Sequence, residues 1–375
     1  MMKTATSWLF RNLRKHRGLF RPIRSLLSRN AAMDYWCRSY VEKLRYKNVA
    51  EVHDLPPIFH YWANKYLLPK FQEFGFYGPE SFFVNYLHEA ALNSGKEEVR
   101  FASIGSGNCD AEIRIALSLQ RLGMNRFSIH CIDLNPAMLK RGKELAKQGG
   151  LDKHIMTEKA DFNHWRPQHD YDAIIANQSL HHVVHLEGLF DAVKAALTPA
   201  GSFIISDMIG RNGHQRWPEA LAIVEAFWNE LPQSYRYNRL TGEQEDVFIN
   251  RDCSLEGFEG IRSQDILPLL VERFSFDFFL GFSNVIFPFI DRCFGPNFDE
   301  NNEWDRSFID KVQTCDEDEI LSGRLKPTQM LAVVNKLDRG KEKYFKNMSP
   351  AFCLRDPDFV PAFSEEPGIK SKSKK

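Results

Sequence analysis

Between Val99 and Gly123 the chain reads VRFASIGSGNCDAEIRIALSLQRLG, and few folds accommodate such a stretch. A short apolar run ends in Gly105, Ser106 and Gly107, and Asp110 opens a segment whose Ile113, Ala116 and Leu117 recur at helical spacing. This is a strand, a tight glycine turn and a helix, the unit from which open parallel α/β sheets are built. Without a Cβ at either glycine, a ligand can lie against the peptide plane at the helix N-terminus. Asp110 stands where a dinucleotide-binding turn, G-x-G-x-x-G, wants its third glycine. A carboxylate there repels a pyrophosphate and suits a ligand with a cationic amino-acid end.

Strand and helix then alternate. Phe127 to Ile132 is an apolar strand ending in Asp133 and Leu134, after which Asn135 can cap a helix and Pro136 suits its first position. The carboxyl ends of parallel strands face the ligand crevice, so Asp133 can accept hydrogen bonds from both hydroxyls of a ribose. Ile155 to Ala160 reads as a third strand, closed by Asp161 and Phe162. Tyr171 to Ala176 is a fourth, continuing into Asn177, Gln178, Ser179, Leu180, His181 and His182. A helix carrying Leu189, Ala192, Val193 and Ala196 stops at Thr198, Pro199, Ala200 and Gly201, and Ser202 to Ser206 forms a fifth strand ended by Asp207.

The glycine turn, Asp133, the Ser-Leu-His-His run and the Pro-Ala-Gly turn, in this order, resemble the class I S-adenosylmethionine-dependent methyltransferases. Pro-Ala-Gly departs from that family's usual Pro-Gly-Gly. The resemblance covers residues 99–210 and, more weakly, 263–336. It implies an α/β fold: a Rossmann-like seven-stranded sheet with helices on both faces, an N-terminal helical lid and a long insertion before the last strand. It also implies S-adenosyl-L-methionine as cofactor. Gly105, Ser106 and Gly107 would pass beside its methionine end, Asp110 would orient the amino acid, Asp133 and Leu134 would meet the ribose, Asp161 and Phe162 the adenine, and Asn177 would join them from the fourth strand.

A methyl group on a sulfonium is already an activated electrophile, so catalysis needs alignment, exclusion of water and a base for the acceptor's proton. An imidazole titrating near neutrality suits that task, which makes His181 and His182 the catalytic candidates; packing against the adenosine or capping a helix is the alternative role for either. His181 and His185 would share a helix face, but no third ligand stands near them in sequence, and no metal is expected. Asp207, Arg211 and His214 leave the end of the fifth strand and are the substrate-binding candidates, a solvated glycine loop being the alternative.

The remainder divides around this core. Residues 1–30 form a basic amphipathic arm with eight Lys or Arg and no acid, suited to docking on the body or to peripheral contact with an anionic membrane. Residues 31–98 read as an aromatic helical cap and 99–210 as the cofactor-binding core. Residues 211–322 hold a helical excursion, a sixth strand at Phe274 to Phe282 and an insertion, together a substrate cap with room for subunit contact in a homo-oligomer. Residues 323–337 bring the last strand, and 338–375, rich in Lys, Ser and Pro, read as a flexible tail.

Composition narrows the function. The formal net charge is zero, which argues against a nucleic-acid partner. Seven scattered cysteines with no C-x-x-C pair suit a reducing, cytoplasmic setting, and the longest apolar run, Phe278 to Ile290, is too short to span a bilayer. The expected activity is methyl transfer to an oxygen or nitrogen, or a carbon, of a small-molecule, sugar or lipid-like acceptor. Two alternatives stand beside it: a non-catalytic subunit that binds the same cofactor, and a nicotinamide-dependent oxidoreductase.

Overall fold

A computed structural model describes residues 34–35, 38–39, 55–356 and 359, except the side chain of Glu256. The basic arm at 1–30 lies outside the described residues.

Pro57–Trp62 (α1) runs through a π-helical turn, Ala63–Leu67, into Leu68–Gln72 (α2), and Pro79–Ser94 (α3) follows. The core then alternates as read: Val99–Ile104 (β1), Asp110–Arg121 (α4), Phe127–Asp133 (β2), Pro136–Gln148 (α5), Ile155–Lys159 (β3), Tyr171–Asn177 (β4), Leu186–Ala196 (α6) and Leu197–Met208 (β5). Asn135 caps α5 as its position foretold, Oδ1 accepting the Ala137 N–H at 3.1 Å. Beyond lie Pro218–Glu230 (α7), Ser263–Arg273 (α8), Ser275–Phe282 (β6), Phe287–Ile290 (α9), Glu303–Leu321 (α10), Gln329–Asn335 (β7) and Lys343–Tyr344 (β8).

The strands form one sheet in the order β8-β6-β7-β5-β4-β1-β2-β3. β7 is antiparallel to both β5 and β6, and the other pairings are parallel. β1 leads outward to β2 and β3, while β4 and β5 extend the other way. The strand order therefore reverses between β1 and β4, and their carboxyl ends open a crevice there. β4 is buried along nearly its whole length, as expected of a central strand covered by helices on both faces.

Two expectations need correction, the flexible tail from 338 and the buried face of the helix after β1. α1 packs against α9 and α10, α2 reaches α10 through the Lys70–Glu317 ion pair, and α3 packs against the sheet and α4; most of the expected cap before residue 55 lies outside the described residues. Several aromatic side chains of this region pack into the core: Phe76 and Phe82 are buried and meet Phe278 of β6 with ring centroids 5.5 and 5.7 Å apart, while Tyr77 is exposed. The tail is ordered well beyond 338. β8 adds an eighth strand, and Phe345, Met348 and Cys353 are buried, because this Lys-rich stretch carries enough apolar side chains to close the edge of β6. Finally, α4 buries Glu112, Ile115, Ala116 and Leu119, a stripe shifted by one residue from the Ile113, Ala116 and Leu117 face.

Candidate active site

Gly105 begins the turn after β1 with φ +77°, and a Cβ there would stand 2.4 Å from the Cβ of Ser179. Only glycine satisfies both the left-handed backbone and that approach. Both the Gly105 and the Ser106 N–H bond the Ile132 carbonyl, at 2.9 and 3.2 Å, tying the turn to the end of β2. One cavity lies over this turn. It is lined by Gly105, Ser106, Gly107, Asp110, Asp133, Leu134, Asp161, Phe162 and Asn177, the nine residues singled out for a cofactor, and also by His182.

Asp133 lines the cavity at the end of β2. Its Oδ2 accepts the Gly107 N–H at 2.9 Å and its Oδ1 the Asn135 N–H at 2.7 Å, so the glycine turn and the start of α5 hold the carboxylate in place. Asp161 lines the cavity after β3. The Tyr35 hydroxyl reaches its two oxygens at 2.6 and 2.7 Å, and the Asn163 N–H donates to Oδ1 at 3.1 Å. Burial alone would raise this carboxyl's pKa, but these hydrogen bonds outweigh burial and hold it below its usual value. Tyr35, invisible as a site residue in the sequence, also sets its ring 5.3 Å from that of Phe258, another lining residue.

Glu112, likewise missed, is 2 % exposed and lines the cavity. The Ser103 hydroxyl donates to Oε1 at 2.6 Å, while Oε2 is buried with no hydrogen-bond partner. Burial, reinforced by the charges of Asp110 and Asp133, pushes its carboxyl up to about 7. A buried carboxylate oxygen without a donor is a site for a cation.

His181 and His182 part company. Leu180–His182 forms one 3₁₀ turn followed by extended backbone at Val183, so His181 and His185 do not share a helix face. His182 lines the cavity. His181 does not: its ring is buried, with Nδ1 2.7 Å from Asp207 Oδ1 and Nε2 3.5 Å from Glu259 Oε1. Desolvation opposes the charged ring, but the two carboxylates outweigh it and raise the pKa to about 10. Its ring centroid lies 4.2 Å from that of His182.

The substrate-binding candidates are corrected in part. Asp207 is fully buried, and its oxygens accept the N–H groups of Ser179 and Leu180 at 2.9 and 2.7 Å besides facing His181. It organises the turn and cannot touch a substrate. Arg211 donates to the Arg216 carbonyl at 3.1 Å and lies over the Trp217 ring, outside the cavity lining. His214 packs beside His181, with Nε2 3.0 Å from Glu259 Oε1. Glu259 comes from the irregular stretch at 231–262, which gave no sequence signal for a site.

Residues 96–250 match a family model described as "Methyltransferase domain". Over that stretch the chain is similar to a methyltransferase domain. The cavity fits S-adenosylmethionine on two counts: a turn that a Cβ would fill, and a buried carboxyl oxygen of Glu112 with no hydrogen-bond partner. Among solved structures, the chain is similar to geranyl diphosphate C-methyltransferase from Streptomyces coelicolor A3(2), at 12% identity over 80% of this chain and 98% of that one, TM-score 0.40. It is similar to an S-adenosylmethionine-dependent methyltransferase from Clostridium acetobutylicum ATCC 824, at 15% identity over 41% of this chain and 63% of that one, TM-score 0.30. The DhpI–SAH complex matches at 17% identity over 46% of this chain and 70% of that one, TM-score 0.28. No curated protein sequence matches the chain significantly.

Proposed function

We propose that the protein is an S-adenosylmethionine-dependent methyltransferase, that it acts on an oxygen or nitrogen, or a carbon, of a small-molecule acceptor, sugars and lipid-like molecules included, and that His182 takes the acceptor's proton. The observation that carries this reading is the position of His182, the imidazole that lines the cavity together with all nine residues of the cofactor set. In this reading the Gly105–Gly107 backbone passes beside the methionyl chain, and Asp110 and Glu112 receive its ammonium. Asp133 receives the ribose hydroxyls, and Asp161 with Phe162 receives the adenine. The cofactor supplies a methyl group on a sulfonium.

His181 is a positioning residue. Held between Asp207 and Glu259, it keeps the 3₁₀ turn in register, so that the neighbouring ring of His182 faces the cavity. Phe258 also lines the cavity, and its apolar ring helps exclude water.

A zero net charge supports a small acceptor over RNA or DNA. No helix among the described residues is long and apolar enough to cross a membrane. Contact with an anionic membrane through residues 1–30 belongs to this reading through their eight basic residues, and co-sedimentation with liposomes, with and without those residues, tests it. The acceptor class is tested with methyl-labelled S-adenosylmethionine and a fractionated cell extract. Label in the small-molecule or lipid fraction is expected; label confined to nucleic acid or protein refutes the reading.

A further inference from the structure

Beside the cofactor cavity, three donors from distant parts of the chain converge. Nε2 of His181, Nε2 of His214 and a carboxylate oxygen of Glu259 lie within 4.8 Å of one another. Glu259 Oε1 is 3.0 Å from His214 Nε2 and 3.5 Å from His181 Nε2. Tetrahedral ligands with bonds of 2.0–2.1 Å stand about 3.3 Å apart, so these separations are those of ligands sharing one ion.

The surroundings are built for it. Asp207 Oδ1 faces His181 Nδ1 at 2.7 Å, fixing the ring and turning Nε2 toward the other two donors, as carboxylates behind metal-bound histidines do. The loops are held together by backbone bonds, Gly213 N–H to the Gly260 carbonyl at 2.8 Å and Ile261 N–H to the His181 carbonyl at 3.0 Å. His214 itself adopts φ 57°, unusual for a residue with a side chain and a strain that persists only where its surroundings impose it. A Cβ at Gly260 would meet the His214 ring at 3.0 Å. The cluster is unevenly buried: the side chains of His181 and Asp207 are 4 % and 0 % exposed, those of His214 and Glu259 20 % and 22 %. His182 and Phe258, the chain neighbours of His181 and Glu259, line the cavity.

We propose that His181, His214 and Glu259 bind one divalent first-row transition cation, with a coordination position left open for a further donor. Two imidazoles, one carboxylate and a free position are the donor set of a catalytic rather than a structural metal site. The open position takes an oxygen donor: water, or an acceptor that carries one. The proposal stands apart from the choice of acceptor and from the cofactor's placement, since none of its three ligands lines the cofactor cavity.

The test uses the full-length chain, stripped with a chelator and titrated calorimetrically with Zn²⁺ and separately with Mn²⁺. S-adenosylhomocysteine binding and circular dichroism are recorded on the same samples. One ion per chain is expected for at least one of the two metals, weakened about 100-fold or more by His214→Ala and by the isosteric Glu259→Gln. Cys131→Ser controls for the other group of metal-ligating side chains, Cys109, Glu112 and Cys131, and should leave the ion bound. Neither metal binding to a wild type that still binds S-adenosylhomocysteine overturns the proposal and shows the cluster to be a hydrogen-bonded relay. Binding that survives Glu259→Gln, or that is lost only with Cys131→Ser, overturns it equally. Normal metal binding without S-adenosylhomocysteine binding would instead count against the cofactor reading alone.

Discussion

Glu112 carries the most quantitative consequence of the site. Its carboxyl is raised from 4.5 to about 7, by burial first and then by the negative charges of Asp110 and Asp133, while the Ser103 hydroxyl pulls it partly back. In the empty protein at pH 6 the group is mostly protonated, and pairing with the cofactor's ammonium requires that proton to leave. One displaced proton at this pKa weakens binding about tenfold at pH 6 relative to pH 8. Glu112→Gln keeps an oxygen for the Ser103 hydroxyl but removes the charge. A charge-assisted hydrogen bond contributes about 1.5–3 kcal/mol, so affinity for S-adenosylhomocysteine at pH 8 should fall roughly 10- to 100-fold, and the difference between pH 6 and 8 should vanish. Folding follows the same linkage. A folded pKa above the unfolded one stabilises the protein below pH 4.5, and that contribution is lost as pH rises through 7. The loss is about 3 kcal/mol over this window, and the variant should lack it. Calorimetric titration at both pH values, with 5′-methylthioadenosine as the ligand lacking the amino-acid group, reads the binding terms; urea unfolding reads the stability. Wild-type and Glu112→Gln proteins binding S-adenosylhomocysteine equally at both pH values would refute the assignment of the ammonium to Glu112.

Three further outcomes are expected. His182→Ala should lower kcat on the true acceptor by about 100-fold or more while S-adenosylhomocysteine binding changes by less than about threefold; an unchanged kcat dismisses the base. Tyr35→Phe removes the hydroxyl that occupies Asp161, and freeing that carboxylate for the adenine amino group should tighten S-adenosylhomocysteine binding by about fivefold, a hydrogen bond's usual worth. Weaker binding would show that Tyr35 holds the adenine end open instead of competing for it. Phe345→Ala should cost about 3 kcal/mol in urea unfolding, since its ring is 3 % exposed, whereas a ring in a flexible tail would cost nothing measurable.

The cavity-lining residues proposed for the cofactor were legible because they sit at strand ends, and strand ends can be read from apolar runs and the turns that close them. Gly105, Asp133, Asp161 and Asn177 each follow such a run, and a parallel sheet brings those ends to one edge. Glu112 carried a usable signal that went unread: it lies on the stripe Glu112, Ile115, Ala116 and Leu119, so an acid on the buried face of α4 marks itself as unusual. Setting the helix phase by Ile113 and Leu117 hid it. His214 and Glu259 were out of reach for a different reason. They stand on irregular loops 45 residues apart, and only backbone bonds such as Gly213 to Gly260 bring them to His181. In the tail, Lys and Ser dominate the composition, and the few side chains that pack, Phe345, Met348 and Cys353, show no period a strand or helix would impose.

The central claim, that the strand-end carboxylates hold an adenosyl cofactor, is tested most directly by calorimetric titration of S-adenosylhomocysteine into the intact protein and into Asp133→Ala. The account predicts one site per chain in the intact protein. In a variant shown to be folded, loss of the carboxylate that meets both ribose hydroxyls should weaken that site severely, about 100-fold for two charge-assisted hydrogen bonds. Equal affinity in the two proteins, or no binding to a folded wild type, would contradict it.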